Sequence, residues 1–505
     1  MNIPVIFNKS LNTYVLFFAF IVGLVIYNFS LPFPDCNDFY ELSRICLLMD
    51  NCIKYCVNNN WGFAHPLFCW LTTKITGDLF ISQRIISSLF SLLFVFILLR
   101  TIRNLGIHFT KRNIALLFVF LCSPWMLEIV LSVHLDIIPI TLIFTAVLLA
   151  LVQKKPFTFL IAGFIAGMAY WFRFHFLTYA MLFPVFTFFL TKHNKANIQA
   201  VVFASIGSVI SIVIPQLLCL ATYGVFSISN EKFVLAYAVG IVDWTYESAL
   251  KLETLNTIDI FRNFDILIYM LKYGYHFIKS GLFPITILFS IFIYEHYKKN
   301  KNEKLNIFDF SSKRGQLLLL ALYAFFTFVP FTLVRGFTYR LEAAFVFWII
   351  PVILWLLTNS SKRVIRVTAV VLLIGIIYQQ KTFWDVFTVN KATIVAIAKE
   401  VSEKIPLSIL KNEPERVICC VDYYNPYNKY RLCNPMVFAG WGVRFEPFIE
   451  NFGFLNMTKP FNNEIYNKAK YLVLPSNPTF FTYSSELKVK NLQLFKDNEV
   501  IILQR

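Results

Sequence analysis

The sequence predicts an α-helical polytopic membrane protein of about eleven membrane-spanning helices, followed by a small C-terminal α/β domain. Apolar runs of about 20 residues, the length that crosses a bilayer, recur along the first three quarters of the chain. The composition is 57% hydrophobic and only 15% charged, whereas soluble proteins are roughly a quarter charged. Basic residues cluster in the short segments between alternate apolar runs, as in the cytoplasmic loops of multi-pass proteins.

The first half of the chain contains seven of these runs. They cover residues 13–31, 84–102, 113–130, 137–153, 157–172, 175–191 and 198–222. The run at 13–31 has no small-residue cleavage site after it, so we interpret it as a retained anchor with a cytoplasmic N-terminus. Basic residues then mark the cytoplasmic turns, beginning with Arg100, Arg103, Lys111 and Arg112.

The second half predicts an eighth span ending at the basic loop 298–304, spans at 315–333 and 341–358, and a last one ending near Tyr378. The predicted transmembrane domain is therefore 1–380, with outer loops at 32–83 and 223–275. The remaining segment, 381–505, is less apolar and has strand-like runs at 416–422, 471–475 and 500–503. We expect it to fold as a soluble domain on the outer face.

The net charge of +17 and the ten cysteines bear on two possible functions, nucleic-acid binding and metal binding. Because the cations lie between spans, the charge indicates membrane topology and not nucleic-acid binding. Cys36, Cys46, Cys52 and Cys56 fall in the first outer loop, and Cys419, Cys420 and Cys433 fall in the C-terminal segment. No CxxC pair or His partner at ligand spacing supports a metal site, so disulfides are favoured if both regions face an oxidising space.

Ionisable residues near the apolar runs are few, and those on the predicted outer side are the candidates for chemistry. They are Asp35, Asp38, His65, Asp136, Arg173, Arg335 and Arg340. A carboxylate can act as a general base on an acceptor hydroxyl, and a guanidinium matches the oxygens of a phosphate. Together these types suit transfer of a group from a lipid phosphate.

Each candidate also has a structural alternative. Asp35 and Asp38 are also explained as solvated loop acids, and Asp136 as the N-cap of the helix that starts at Ile137. Arg173 and Arg340 are also explained as side chains that reach the membrane interface. His65, in an exposed His-Pro dipeptide, is also explained as an ordinary loop histidine.

Several short motifs accompany these residues. They are Asp35-Cys36-Asn37-Asp38-Phe39-Tyr40 with Arg44, His65-Pro66-Leu67-Phe68-Cys69-Trp70, Gly77-Asp78, Arg84-Ile85-Ile86-Ser87, Asp136 with Pro139, and Tyr339-Arg340. In this order and placement the pattern resembles the GT-C class of glycosyltransferases that use polyprenyl-phosphate sugars. The resemblance is to the protein mannosyltransferase-like superfamily, which includes aminoarabinose transferases, and it covers about residues 30–190 and, loosely, 320–360.

The resemblance implies a GT-C bundle and assigns roles to the candidates. Asp35 or Asp38 would be the general base, and Asp136 a second acidic residue of the site. His65, Arg173 and Arg340 would contact the donor phosphate, with Tyr339 and Arg84 as further substrate-binding residues. His65 is followed by one proline where the family pattern has two, and a divalent metal cofactor is left open.

The expected function is sugar transfer from a polyprenyl-phosphate donor to a lipid, glycan or protein acceptor. The expected location is a bacterial inner membrane, with the site facing the periplasm and in contact with membrane lipid. One alternative is a transporter or flippase for a lipid-linked sugar, which predicts discontinuous helices with polar residues at bilayer depth. The other is an O-antigen ligase or polymerase, which predicts a large outer loop late in the chain.

Overall fold

The computed structural model of the chain describes, in continuous stretches, residues 6–30, 62–131, 136–152, 155–173, 176–191, 197–223, 312–335, 339–359, 403–413, 416–419, 470–475, 492–496 and 500–504. It also describes positions within 42–57, 286–310, 363–381 and 399–401. The helices are α1 (Ile6–Ser30), α2 (Ala64–Thr76), α3 (Leu79–Asn104), α4 (Lys111–Leu121), α5 (Pro124–Leu131), α6 (Ile137–Val152), α7 (Pro156–Met168), α8 (Leu177–Thr191), α9 (Asn197–Tyr223), α10 (Lys313–Arg335), α11 (Tyr339–Asn359) and α12 (Leu407–Asn412).

The chain divides into two compact units. Unit 1 comprises Met1–Ser30, Ile86–Ile214 and Leu267–Trp384, and unit 2 comprises Leu31–Ile85, Pro215–Ile266 and Asp385–Arg505. Unit 2 thus gathers the C-terminal segment and most of the two segments that the sequence predicts as outer loops. The predicted domain boundary at residue 381 stays a prediction.

Five helices agree closely with predicted spans. The ends of α6, α8, α9, α10 and α11 lie within two residues of the predicted ones. The predicted eighth and eleventh spans are only partly covered by the described residues. The agreement follows from the length of the apolar runs, which is a local property of the sequence.

The predicted third span, 113–130, is two helices in the structure. α4 ends at Leu121 and α5 begins at Pro124. The carbonyl of Ser123 accepts the first hydrogen bonds of α5, from the N–H groups of Met126 at 3.1 Å and Leu127 at 3.0 Å. Proline is favoured in the first turn of a helix but cannot continue the preceding one. Hydropathy missed this break because the apolar run continues through it.

Aromatic side chains fill the interior of unit 1. The rings of Phe144 in α6 and Trp348 in α11 stack with centroids 3.6 Å apart, and Phe94 of α3 packs edge-on against Phe144 at 5.3 Å. Tyr323 of α10 packs against Trp348 at 6.2 Å, and its hydroxyl donates to the carbonyl of Tyr179 in α8 at 2.7 Å. Because large rings bury much apolar area in specific geometries, these contacts hold five helices in one arrangement.

α7 and α9 approach each other more closely than side chains larger than glycine would allow. A Cβ on Gly207 would lie 2.1 Å from the carbonyl oxygen of Leu160, and one on Gly163 would lie 2.2 Å from that of Ala204. The Ser208 hydroxyl donates to the Gly163 carbonyl at 3.3 Å. Small residues at such crossings are typical of helices that pack within membranes.

Several helices expose apolar faces. On α9 the exposed large apolar side chains include Ile198, Val202, Ile206, Val209, Leu217 and Leu220. By length and composition, Ile81–Asn104 and Asn197–Thr222 could cross a membrane. Shorter apolar helices cover Thr13–Phe29, Ile137–Val152, Pro156–Trp171, Leu177–Thr191 and Ala343–Asn359. These features are typical of an integral membrane protein, whose exposed apolar surface contacts lipid; the number of spans stays a prediction.

The C-terminal part of unit 2 contains a four-stranded sheet. Its strands are β1 (Val417–Cys419), β2 (Tyr471–Pro475), β3 (Leu492–Lys496) and β4 (Val500–Gln504), in the spatial order β1-β2-β4-β3. β1 pairs parallel with β2, and β4 pairs antiparallel with both β2 and β3. The sequence predicts β1, β2 and β4; β3, with a register irregularity between Gln493 and Phe495, was missed.

The α7–α9 crossing gives a first prediction. Gly207→Ala places a methyl group against the backbone of α7, so we expect the free energy of unfolding to fall by about 1–3 kcal/mol. Thermal unfolding in detergent measures this. Gly23→Ala is the matched control, because nothing lies within 4 Å of a Cβ at that position. Equal stability of the two variants would mean that α7 and α9 do not cross at this distance.

Candidate active site

Two of the predicted site residues form an ion pair inside unit 1. The Arg173 guanidinium donates from Nε to Oδ1 of Asp136 at 2.9 Å. Their side chains are only 8% and 2% exposed. A charge away from water is costly unless an opposite charge accompanies it, so each residue makes burial of the other tolerable. Among the described residues, none hydrogen-bonds to Oδ2 of Asp136.

The backbone explains why Asp136 reaches this position. Asp136 precedes the first residue of α6, and its carbonyl accepts the N–H of Ile140 at 3.3 Å. It therefore occupies the N-cap position, which is the structural alternative named for it above. The contact that its carboxylate makes, however, is with Arg173 on another segment of the chain, so capping does not account for the residue.

Arg173 lies in the turn between α7 and α8. A 3₁₀ helix, Ala169–Trp171, follows α7, and the Arg173 N–H donates to the Ala169 carbonyl at 3.3 Å. The indole N–H of Trp171 donates to the carbonyl of Ser211 in α9 at 2.7 Å. This bond fixes the turn to α9. Arg173 is therefore buried and paired, which argues against a side chain that extends to the membrane interface.

Tyr339 and Arg340 are at the same end of unit 1 as the Asp136–Arg173 pair. α8 and α10 run antiparallel, because Thr178 bonds to the carbonyl of Thr327 at 3.1 Å while Phe189 packs on Phe310 at 5.6 Å. α10 therefore ends, and α11 begins, at the end where α8 begins. Tyr339 and Arg340 are the first two residues of α11. Their side chains lie outside the described part of the structure.

His65 belongs to unit 2 and lies in the first turn of α2, next to Pro66. The interpretation of this dipeptide as an exposed loop is wrong, because His65 is 1% exposed and Pro66 is also buried. Proline needs no N–H partner in a first helical turn, which explains why the helix can begin here. α2 is amphipathic: His65, Cys69 and Thr73 lie on its buried side, and Phe68, Leu71 and Ile75 are exposed.

The Gly77-Asp78 motif forms the corner between α2 and α3. Gly77 has a φ of 74°, a left-handed conformation that favours glycine, and its N–H donates to the Thr73 carbonyl at 2.8 Å. Asp78 caps α3, since its Oδ1 accepts the N–H of Ile81 at 3.1 Å. The Ser82 hydroxyl lies 2.6 Å from that of Thr76 and completes the corner. This motif is structural in the described geometry.

Asp50 and Lys74 form a contact that the sequence analysis missed. The indole N–H of Trp70 donates to Asp50 Oδ1 at 2.9 Å, and the Lys74 ammonium binds the same oxygen. The ammonium also lies 5.0 Å from the centre of the Trp70 ring. Trp70 and Lys74 are four residues apart on α2, which predicts that they share a face. Nothing in the sequence identified Asp50 as their partner.

The other candidates divide between described and undescribed residues. Arg84 lies in α3 beside Ser82 and Gln83, and all three are buried. Asp35 and Asp38 lie outside the described residues, so their proposed roles stay predictions.

Neither a metal cluster nor a disulfide is found among the residues that the structure describes. No three His, Cys, Asp or Glu side chains converge there. Cys52 and Cys56 of the first loop are free thiols, so neither forms the predicted disulfide. Cys36, Cys420 and Cys433 lie outside the described residues. Burial raises the pKa of the Cys56 thiol to about 11, and it also raises the pKa of Cys69.

A solved structure shares this architecture. The crystal structure of ArnT from Cupriavidus metallidurans bound to undecaprenyl phosphate matches with a TM-score of 0.56 and 12% sequence identity, covering 97% of this chain and 97% of that chain. The chain has a GT-C fold. The same protein in its apo state matches with a TM-score of 0.46 and 12% identity, over 98% of each chain.

The GT-C fold confirms the fold that the resemblance of the motifs implies. Searches by sequence add nothing to it: no protein-family model and no curated protein sequence matches the chain. At 12% identity the likeness establishes the GT-C fold alone. The chemistry of this chain must therefore be argued from its own residues.

The raised pKa of Cys56 gives a second prediction. The thiolate is the nucleophile, so a pKa near 11 instead of about 9 lowers the reactive fraction at pH 8 by about a hundredfold. We expect slow alkylation of Cys56 by iodoacetamide at pH 8, accelerating as the pH approaches 11. Peptide mass spectrometry measures the rate, and the denatured protein is the control. Fast labelling of Cys56 in the folded protein at pH 8 would contradict its burial.

Proposed function

We propose that the protein is a membrane glycosyltransferase that moves a sugar from a polyprenyl-phosphate donor to a lipid, glycan or protein acceptor. The observation that carries the proposal is the buried pair of Asp136 and Arg173 at one end of a GT-C helical unit. Buried charges within membrane helices are costly and are usually retained for function. The similar ArnT structure contains undecaprenyl phosphate, which supports a polyprenyl-phosphate donor here.

The proposed reaction is a single displacement at the anomeric carbon. The acceptor oxygen attacks that carbon, and the bond from the carbon to the donor phosphate oxygen breaks. The electron pair leaves with the polyprenyl phosphate, and a carboxylate takes the acceptor's proton. One displacement inverts the configuration of the sugar.

We assign the general base to Asp35 or Asp38. Asp136 remains a second acidic residue of the site, but its Oδ1 is held by Arg173, which favours a positioning role. A charge-assisted bond of this kind fixes the plane of the guanidinium. Arg173 would then present positive charge to the phosphate as the leaving group gains negative charge. His65, Arg84, Tyr339 and Arg340 are proposed to contribute further substrate contacts.

We propose that the site faces the periplasm, across a bacterial inner membrane. In support, the basic residues Arg103, Arg112 and Lys313 lie at the helix ends of unit 1 opposite to Asp136 and Arg173. Positive charge accumulates on the cytoplasmic side of multi-pass proteins.

A third prediction tests the base. In membranes carrying comparable amounts of each variant, we expect Asp35→Asn or Asp38→Asn to lower sugar transfer by about 10²–10⁴-fold, the usual contribution of a general base. Labelled undecaprenyl-phosphate sugars are the donors, and product formation is the readout. Asp78→Asn is the control, because asparagine also caps helices well.

If both Asp35→Asn and Asp38→Asn transfer sugar as fast as the wild type, neither aspartate is the general base and the proposed mechanism is wrong. Movement of the donor across proteoliposome membranes without any transfer would support the transporter alternative instead.

A fourth prediction concerns the buried pair. Asp136→Asn and Arg173→Gln each leave a buried charge without its partner, so each should lower the free energy of unfolding by about 3–5 kcal/mol. The double variant should be more stable than the sum of the single effects predicts, because it leaves no unpaired charge. Thermal unfolding in detergent measures the cycle. Additive effects would show that the two side chains do not interact.

A further inference from the structure

The end of unit 1 opposite to the Asp136–Arg173 pair has a strongly basic surface. It comprises the C-terminal end of α3, the loop 105–110, the N-terminal ends of α4 and α10, and the C-terminal end of α11. Its exposed cations include Arg100, Arg103, Lys111, Arg112 and Lys313. We call this the basic end.

Contacts within unit 1 show that these segments are neighbours. A Cβ on Gly106, in the loop after α3, would lie 3.7 Å from Cγ of Lys313 at the start of α10. The Asn113 side chain donates to the His108 carbonyl at 2.7 Å and to the Thr358 hydroxyl near the end of α11 at 3.0 Å. The cations of α3, α4 and α10 therefore lie on one surface.

The segments that form the basic end contain no acidic residue that could neutralise its cations. The sequence contains no Asp or Glu in 97–116, 310–320 or 352–378. Phe292, in the described positions before α10, packs on Trp355 of α11 at 5.4 Å, which brings Glu295 and Lys298 nearby with opposite charges. The basic end therefore keeps a net positive charge.

The exposed face of α3 indicates which kind of anion would bind at the basic end. Its exposed residues recur every three or four positions: Leu89, Leu93, Phe96, Arg100 and Arg103. This spacing places them on one side of the helix. The apolar part, from Leu89 to Arg100, is about 16 Å long at 1.5 Å per residue, close to half the thickness of the hydrocarbon core. The stripe thus offers an apolar track that ends in two guanidinium groups.

We propose that the basic end is a binding site for an anionic phospholipid. One acyl chain would lie along Leu89, Leu93 and Phe96, and the phosphate would bind Arg100 and Arg103, with Lys313 adding positive charge. Guanidinium groups match the oxygens of a phosphate, and basic residues near a membrane surface attract anionic lipid. A water-soluble anion would gain nothing from the apolar track. The proposal does not depend on the proposed transferase activity.

The test is lipid binding by the purified full-length protein. The protein in phosphatidylcholine nanodiscs is titrated with phosphatidylglycerol, and native mass spectrometry counts the lipids retained. We expect selective retention of phosphatidylglycerol, weakened about tenfold or more in Arg100→Gln/Arg103→Gln/Lys313→Gln. The control Lys399→Gln/Lys404→Gln/Lys470→Gln removes the same charge from exposed positions in unit 2 and should bind as the wild type does.

Equal loss of binding in both triple variants, or unchanged binding in the first, would overturn the proposal. Thermal unfolding in phosphatidylcholine alone shows whether the variants fold, and Arg100→Gln/Arg103→Gln is a milder replacement if the triple variant does not. Phe96→Ser, which interrupts the apolar track but keeps every charge, should also weaken phosphatidylglycerol binding. If glycerophosphoglycerol, the same headgroup without acyl chains, competes as well as the lipid, the site binds a free phosphodiester and the proposal is wrong.

Discussion

The arrangement of unit 1 depends on one buried arginine, Arg173, and on the carboxylate of Asp136 that pairs with it. Its bond to Asp136 joins the start of α6 to the turn between α7 and α8. That turn is held to α9 through the Trp171 indole. One ion pair and one hydrogen bond therefore relate four helices, and both would be weak contacts if water could compete for them.

The remaining contacts of unit 1 pack its helices together, and the side chains of the pair are buried in the resulting unit. The stacked rings of Phe144 and Trp348 fill the interior, and the glycines of α7 and α9 let two backbones come close enough to leave little space. The aromatic contacts are apolar, and other large apolar side chains could provide them, whereas the α7–α9 crossing requires glycine. This freedom at the aromatic contacts permits the GT-C fold to be kept at 12% identity to ArnT.

Charge divides unit 1 into two ends with different chemistry. At one end a buried arginine is balanced by a carboxylate, so its charge is held at a fixed place, as a reacting phosphate requires. At the other end exposed cations have no acidic residues in their own segments, so their charge is available to the membrane surface. The two proposed sites differ in this respect: the arginine of the proposed active site is paired with a carboxylate, and the cations of the proposed lipid site are not.

The sequence by itself determined most of the long apolar helices and the types of chemistry. The bounds of α6, α8, α9, α10 and α11 could be predicted because the length of an apolar run is local, and β1, β2 and β4 because short β-branched runs are local too. The motifs, which include Asp136, resemble those of the GT-C class, and Arg173 was a candidate because ionisable residues on the predicted outer side are few. Local patterns could not reveal the α4–α5 break, where hydropathy stays high while Pro124 starts a new helix.

Only the tertiary structure decided which residues meet. It paired Asp136 with Arg173 across 37 positions of sequence and Lys74 with Asp50 across 24. It also buried His65, which an isolated His-Pro dipeptide would leave exposed. Such pairings depend on how distant segments pack, and packing is the sum of many weak contacts that no short stretch of sequence contains.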